Sequence, residues 1–152
     1  MKKENNKISN GVNQIITNSE KETLTFGKNY GGKLKSGEII GLVGNLGAGK
    51  TILAKGVAFG LGIKKNVNSP TFTVMKVYPA KKGEIKTFIH IDAYRLSSEK
   101  DLIALGAEEY FNDPSAVILI EWADKVKKIL PQRTNYINIK ILEDNKREIK
   151  LN

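Results

Sequence analysis

The chain has 152 residues, no cysteine, and 25 lysines and arginines against 16 carboxylates, for a formal charge of +9 at pH 7. That length suits one domain with its own core, and the absent cysteines exclude disulfides and thiolate metal sites. The positive charge says less: 22 lysines stand beside three arginines (Arg95, Arg133, Arg147), 18 isoleucines and 14 asparagines, the mixture that codon bias in an AT-rich genome gives, with an anionic partner left open.

Residues 1–12 are polar and expected to fray, and no apolar stretch follows the early lysines as in a secretory signal. The longest aliphatic run, residues 116–120, falls far short of the roughly 18 residues of a membrane span. The expected compartment is the cytosol, with no membrane partner. Residues 12–17 read as a short strand. Ser19 and Glu22 have the spacing of a capping box and open a helix to about Leu34. Gly27, Gly31 and Gly32 each weaken that helix by roughly 1 kcal/mol relative to alanine, so its packing must compensate.

Ser36-Gly37 is a turn, and residues 38–43 read as a buried strand. A glycine loop follows, then a helix from Lys50 to about Leu61 with Ile52, Leu53, Val57 and Ala58 at helical spacing. Asn68-Ser69-Pro70-Thr71 is a loop. Residues 72–78 and 85–92 alternate around a turn at 81–84, as in a β-hairpin. Ser97 and Ser98 start a capped helix over 99–105. Residues 116–120 form a buried strand, 122–130 a helix before Pro131, and 136–142 with 147–151 a terminal strand pair. Neither internal repeats nor low-complexity linkers interrupt this order.

The loop is the segment with chemistry. Gly44-Asn45-Leu46-Gly47-Ala48-Gly49-Lys50-Thr51 has the pattern G-x-x-x-x-G-K-[ST], placed between a strand and a helix. Its glycines permit backbone torsions closed to other residues and let amides approach phosphate oxygens. Those amides, with the positive end of the following helix, form a pocket for phosphates. Lys50 reaches the β/γ oxygens, and Thr51 offers a hydroxyl to Mg²⁺. The pattern predicts ATP and Mg²⁺ as ligands and an α/β fold: a single-domain P-loop NTPase, residues 1–152, with a mixed, mainly parallel central sheet flanked by helices.

Such a loop needs an acid at the end of a neighbouring strand. Glu121 ends the aliphatic run 116–120 and is the favoured Mg²⁺ residue; Asp92 then orders the γ-phosphate region or the attacking water. His90 shares a strand face with Asp92, as a packed or hydrogen-bonded group rather than a base. Trp122 is either a core or rim anchor or a lid near the phosphates. A guanine-specific N-K-x-D segment is missing, since Asn145-Lys146-Arg147-Glu148 ends in glutamate. Three arginines argue against a nucleotide kinase, which surrounds its phosphoryl group with several. What remains is a minimal ATPase serving a partner, or a non-hydrolysing protein whose nucleotide gates docking.

The loop, Ser69-Pro70-Thr71-Phe72, His90-Ile91-Asp92-Ala93-Tyr94-Arg95-Leu96 and Ile120-Glu121-Trp122, in this order and at these intervals, resemble the bacterial tRNA threonylcarbamoyladenosine biosynthesis ATPase family (TsaE, formerly YjeE). The resemblance covers nearly the whole chain. It implies an ATPase working with the TsaD and TsaB type pair that installs threonylcarbamoyl on the adenosine beside the tRNA anticodon. It also implies Mg²⁺ at Thr51 and Glu121, a requirement for Asp92, and a switch loop at Thr71 near the nucleotide. Direct tRNA contact through lysines such as Lys64-Lys65 stays open. The chain departs from the family in carrying Asn45 where Asp is common, and Ala123-Asp124 where Pro is frequent.

Overall fold

An aliphatic run with no polar residue on either face must be covered on both sides, and two strands carry such a run: Ile39–Val43, and Ala116–Glu121 over its residues 116–120. Both lie at the centre of the sheet. The computed structural model describes residues 8–9, 12–45, 47–65, 67–68 and 73–152. Among them the strands are β1 Ile8–Ser9, β2 Val12–Thr17, β3 Ile39–Val43, β4 Met75–Lys82, β5 Ile85–Asp92, β6 Ala116–Glu121, β7 Asn135–Ile141 and β8 Arg147–Leu151. The helices are α1 Glu20–Gly32, α2 Lys50–Gly60, α3 Glu99–Ala104 and α4 Ala107–Phe111, with 3₁₀ segments at Ala123–Ile129 and Glu143–Asn145.

The sheet order is β1-β2-β8-β7-β3-β6-β5-β4. Four adjacent strands, β7-β3-β6-β5, run parallel, and antiparallel strands extend the sheet on both sides, three beyond β7 and one beyond β5. The expected mixed α/β sheet flanked by helices is therefore what the chain forms. Side-chain alternation sorts the core into two layers. Ile40, Leu42, Val117, Leu119 and Phe88 meet α1 and α2 on one face, and Ile39, Ile118, Ile120, Ile89 and Ile91 meet α3, α4 and the 123–129 segment on the other.

The glycines of α1 find their compensation in α2. A Cβ on Gly27 would stand 2.6 Å from the Leu53 carbonyl oxygen, and one on Gly31 would collide with the Val57 carbonyl oxygen. From the other side, Gly56 and Gly60 press against the backbone of Leu24 and Lys28. Two glycine pairs at four-residue spacing thus let the helix backbones touch. That contact fixes α2, and with it the loop that precedes α2.

Several boundaries differ from the sequence expectation. Helix α1 stops at Gly32, and its capping is shared: Ser19 Oγ accepts from Glu22 N at 3.1 Å, while Glu22 Oε2 accepts from Asn18 N at 2.7 Å rather than from Ser19. The hairpin strand β4 begins at Met75 and continues to Lys82 before a turn at Gly83. A second short helix, α4, follows the Gly106 break at φ 80° and was not expected. The segment after Trp122 is 3₁₀, with Trp122 (φ 59°) as its N-cap, and Val126 at φ −124° and ψ 20° breaks the helical backbone inside it. The polar start at residues 1–7, 10 and 11, and the 69–72 loop, lie outside the described residues.

Candidate functional site

The 44–51 loop joins the C-terminal end of β3 to α2, where parallel strands of an open sheet present their ligand crevice. Gly44 must be glycine because a Cβ there would collide with the Ile139 carbonyl oxygen of β7. Gly47 and Gly49 have φ of 80° and 102°, the left-handed region that costs a side-chain-bearing residue about 1–2 kcal/mol. Gly49 is the N-cap of α2 and offers no side chain to its first amides, and no carboxylate occupies the first turn. The helix therefore starts with uncapped N–H groups, the arrangement that suits an incoming anion. Leu46 lies outside the described residues.

Lys50 is only 5% exposed. Its Nζ donates to the carbonyl oxygens of Gly44 at 2.6 Å and Asn45 at 2.7 Å, and sits 4.1 Å from the centroid of the Trp122 ring. Burial pushes its pKa below the ordinary lysine value, and Glu121, Asp124 and Asp92 pull it back upward. The ammonium is folded onto its own loop, bonded to oxygens that a phosphate oxygen can replace.

The two candidate acids are adjacent. Asp92 and Glu121 are register partners at the ends of the parallel strands β5 and β6. Glu121 is 2% exposed, and both its oxygens are engaged: Oε1 accepts from Thr51 Oγ1 at 3.0 Å, and Oε2 lies 2.6 Å from His90 Nε2. His90 is fully buried, and its Nδ1 has no hydrogen-bond partner. The tautomer with its proton on Nε2 donates to Glu121 and leaves a bare lone pair at Nδ1. Asp92 Oδ1 accepts from the Tyr94 amide at 3.0 Å.

These groups fit Mg²⁺. Thr51 and Glu121 bring a hydroxyl and a carboxylate oxygen together at 3.0 Å, hard donors of the type Mg²⁺ prefers. Among the described residues no group of three or more His, Cys, Asp or Glu gathers as a metal cage. A magnesium ion bound by one or two protein oxygens, with phosphate oxygens and waters, requires no such cage.

A cleft of about 350 Å³ opens over this floor. It brings together Gly47, Gly49, Lys50, Thr51, Asp92, Glu121 and Trp122, all expected from the sequence. Trp122 forms one wall, its ring 5.0 Å from that of Tyr94, and Lys125 Nζ donates to the Tyr94 carbonyl oxygen at 2.6 Å. The left-handed φ of Trp122 is a local strain of roughly 1–3 kcal/mol placed at the cleft. Thr71 lies outside the described residues.

The sequence reading missed Arg147 as a cleft residue. The terminal strand pair was legible, but the chain order β8-β7-β3, which carries β8 toward the loop, was not. Tyr94 was visible within the His90–Leu96 motif, without a signal for its stacking.

Comparison with known proteins identifies the family. Residues 17–149 match the model of the family described as "Threonylcarbamoyl adenosine biosynthesis protein TsaE". The chain is 39% identical over 136 residues to the "tRNA threonylcarbamoyladenosine biosynthesis protein TsaE" of Treponema pallidum, covering 90% of this chain and 97% of the relative. It is 41% identical over 133 residues to the protein of that name from Bacillus subtilis, covering 88% and 80%. The crystal structure of Bacillus subtilis YdiB superposes with a TM-score of 0.75 at 37% identity, covering 94% of this chain and 87% of that one.

Proposed function

The chain belongs to the TsaE family of threonylcarbamoyl adenosine biosynthesis proteins, and from that membership we propose that it binds ATP·Mg²⁺ at the 44–51 loop and hydrolyses the ATP. What supports this reading above all is the meeting of Thr51 and Glu121 beside Lys50 at the uncapped start of α2. In this proposal the loop amides of residues 44–49 and the Lys50 ammonium hold phosphate oxygens, and Thr51 and Glu121 hold Mg²⁺. The ion, when bound, neutralises charge on the phosphates. His90 holds the Glu121 carboxylate in place from behind. Asp92 orients water, being at the cleft and tied to the Tyr94 amide. Trp122 covers the phosphate side of the cleft, and Thr71 senses the nucleotide as the resemblance implies.

The wider role we propose, as the family resemblance implies, is ATP turnover in the cytoplasm in support of the TsaD and TsaB type pair; the relatives' printed names support the coarser part of it, tRNA threonylcarbamoyladenosine biosynthesis. No helix among the described residues is long and apolar enough to cross a membrane. Contact with tRNA through surface lysines is a separate part of the proposal, and a salt-dependent shift of tRNA by the purified protein tests it.

The experiment is phosphate release from ATP, with and without the TsaD and TsaB type pair, for wild type and Lys50→Ala. The expected result is release by wild type and none by the variant. Unchanged release in Lys50→Ala would remove the enzyme reading. Binding of ATP with no release under any condition would favour a nucleotide-gated docking protein.

A further inference from the structure

The nucleotide cleft lies at the start of α2, and the far end of that helix, about 16 Å away along its axis, carries a different surface. There the ends of α1 and α2 meet the turn between β4 and β5. Lys82 Nζ donates to the carbonyl oxygen of Gly32, at the end of α1, and to that of Gly60, at the end of α2 and 3.1 Å away. A Cβ on Gly62 would stand 3.9 Å from the Lys81 carbonyl oxygen, so the segment after α2 borders the same turn. These contacts gather Lys28 and Lys33 from the end of α1, Lys64 and Lys65 from the segment after α2, and Lys81 from the turn, all exposed.

Lys82 is taken up by the two helix ends, where the carbonyls carry the negative pole. The ion pairs among the described residues join His90 to Glu121 and Glu148 to Lys150, and none of the five exposed lysines takes part. Of the carboxylates in these segments, Glu38 accepts from the Lys35 amide at 3.0 Å, and Glu84 stands in the turn. Codon bias raises lysine along a whole chain; it does not gather five ammonium groups where three segments converge. Each pair is screened over a Debye length of about 8 Å, yet their potentials add over one surface. Such a surface draws a polyanion with closely repeating charges, because each phosphate it neutralises releases a condensed counterion. Phe59, 37% exposed and next to Gly60, adds an aromatic ring on which an unpaired base can stack. A membrane surface calls for a wide apolar face beside the charges. Of the large exposed hydrophobic residues, Phe59 alone falls within 28–35, 59–65 and 81–86.

We propose that this end of the molecule is an RNA-binding surface, on which Lys28, Lys33, Lys64, Lys65 and Lys81 contact phosphodiester groups and Phe59 stacks an unpaired base. The inference deepens the tRNA contact proposed above and rests on that reading. It gives the contact a place at the far end of α2 from the nucleotide cleft, so that RNA and ATP can be held at once.

The test measures binding of a tRNA transcript by fluorescence anisotropy across a salt series. It compares wild type with a patch variant (Lys33→Ala, Lys64→Ala, Lys65→Ala and Lys81→Ala) and with a control variant that loses four exposed lysines elsewhere (Lys100→Ala, Lys128→Ala, Lys140→Ala and Lys150→Ala). The patch variant should bind at least about 10-fold more weakly at low salt. Its slope of log affinity against log salt should be shallower by about 3, for four phosphate contacts at roughly 0.7–0.9 each. The control variant should stay close to wild type, and Phe59→Ala should weaken binding by roughly 5-fold or more with its slope unchanged. Equal losses in the patch and control variants overturn the inference and leave the tRNA reading standing, with the charge acting diffusely. Unchanged tRNA binding by the patch variant, with lost binding to phosphatidylserine vesicles, overturns it in favour of a membrane surface. Should the fourfold patch variant fail to fold, Lys64→Glu against Lys100→Glu makes the same comparison. Wild type that shows no salt-dependent binding of tRNA removes the tRNA reading itself, and this inference with it.

Discussion

The Thr51 hydroxyl on α2 donates to the Glu121 carboxylate at the end of β6 at 3.0 Å, across a sequence separation of 70 residues. Neither residue reaches the other without the parallel pairing of β3 with β6 and the seating of α2 against that sheet face. The bond joins the two oxygens that the proposed magnesium needs, while Asp92, one strand away, takes the Tyr94 amide instead.

The two acids should therefore separate in their response to metal. Glu121→Gln is expected to raise the Mg²⁺ concentration needed for half-maximal ATP binding by at least about 10-fold, a floor set by what loss of an outer-shell partner costs. Asp92→Asn is expected to lower turnover with little change in that concentration. Titration of both variants with Mg²⁺ at fixed ATP checks the ranking, and equal shifts would remove it.

Trp122 is the single tryptophan, and a lysine ammonium rests 4.1 Å from its ring centroid. That contact is worth roughly 0.5–2 kcal/mol and depends on where Lys50 points. ATP·Mg²⁺ should draw Lys50 from the ring and change tryptophan emission saturably. The same titration of Lys50→Ala should give no saturable change.

The crossing of α1 and α2 predicts opposite outcomes at adjacent glycines. Gly31→Ala drives a methyl into the Val57 carbonyl and should destabilise the protein by about 2–3 kcal/mol or more. Gly32→Ala meets only the end of the flexible Lys82 side chain, at 3.4 Å, and should be neutral or gain about 0.5–1 kcal/mol from helix propensity. Denaturant unfolding of the two variants measures the contrast.

Lys50 gives a pH dependence of definite sign. Its folded-state pKa lies below the unfolded value of 10.5, chiefly because of burial. Between the two values the unfolded chain holds more protons, so this group makes stability rise with pH, and the penalty is greatest below the folded value. The stability of ligand-free wild type minus that of Lys50→Met should increase as pH rises toward the ordinary lysine value. A difference that falls over that range would contradict the assigned burial. Nucleotide affinity, which needs the charged ammonium, should move the opposite way and decline as pH rises.

The sequence carried the loop, the two strand-end acids and most elements, because each announces itself locally. A glycine-lysine-threonine spacing, an aliphatic run ending in Glu121 and an alternating hairpin all depend on near neighbours. Contacts that need the sheet order did not show. The bond from His90 to Glu121 joins β5 to β6 diagonally, and Arg147 reaches the loop only because β8 and β7 lie beside β3. The glycines of α1 read as a weakness until α2 supplied Gly56 and Gly60 as their partners. Helix α4 was hidden by its five-residue length, too short for a helical period to register.

Calorimetric titration of ATP·Mg²⁺ into the folded wild-type protein, with Lys50→Ala alongside, tests the central claim most directly. The account predicts saturable heat for wild type that disappears when Mg²⁺ is chelated and is lost or greatly weakened in the variant. No saturable heat from wild type, or identical isotherms for the two proteins, would contradict it.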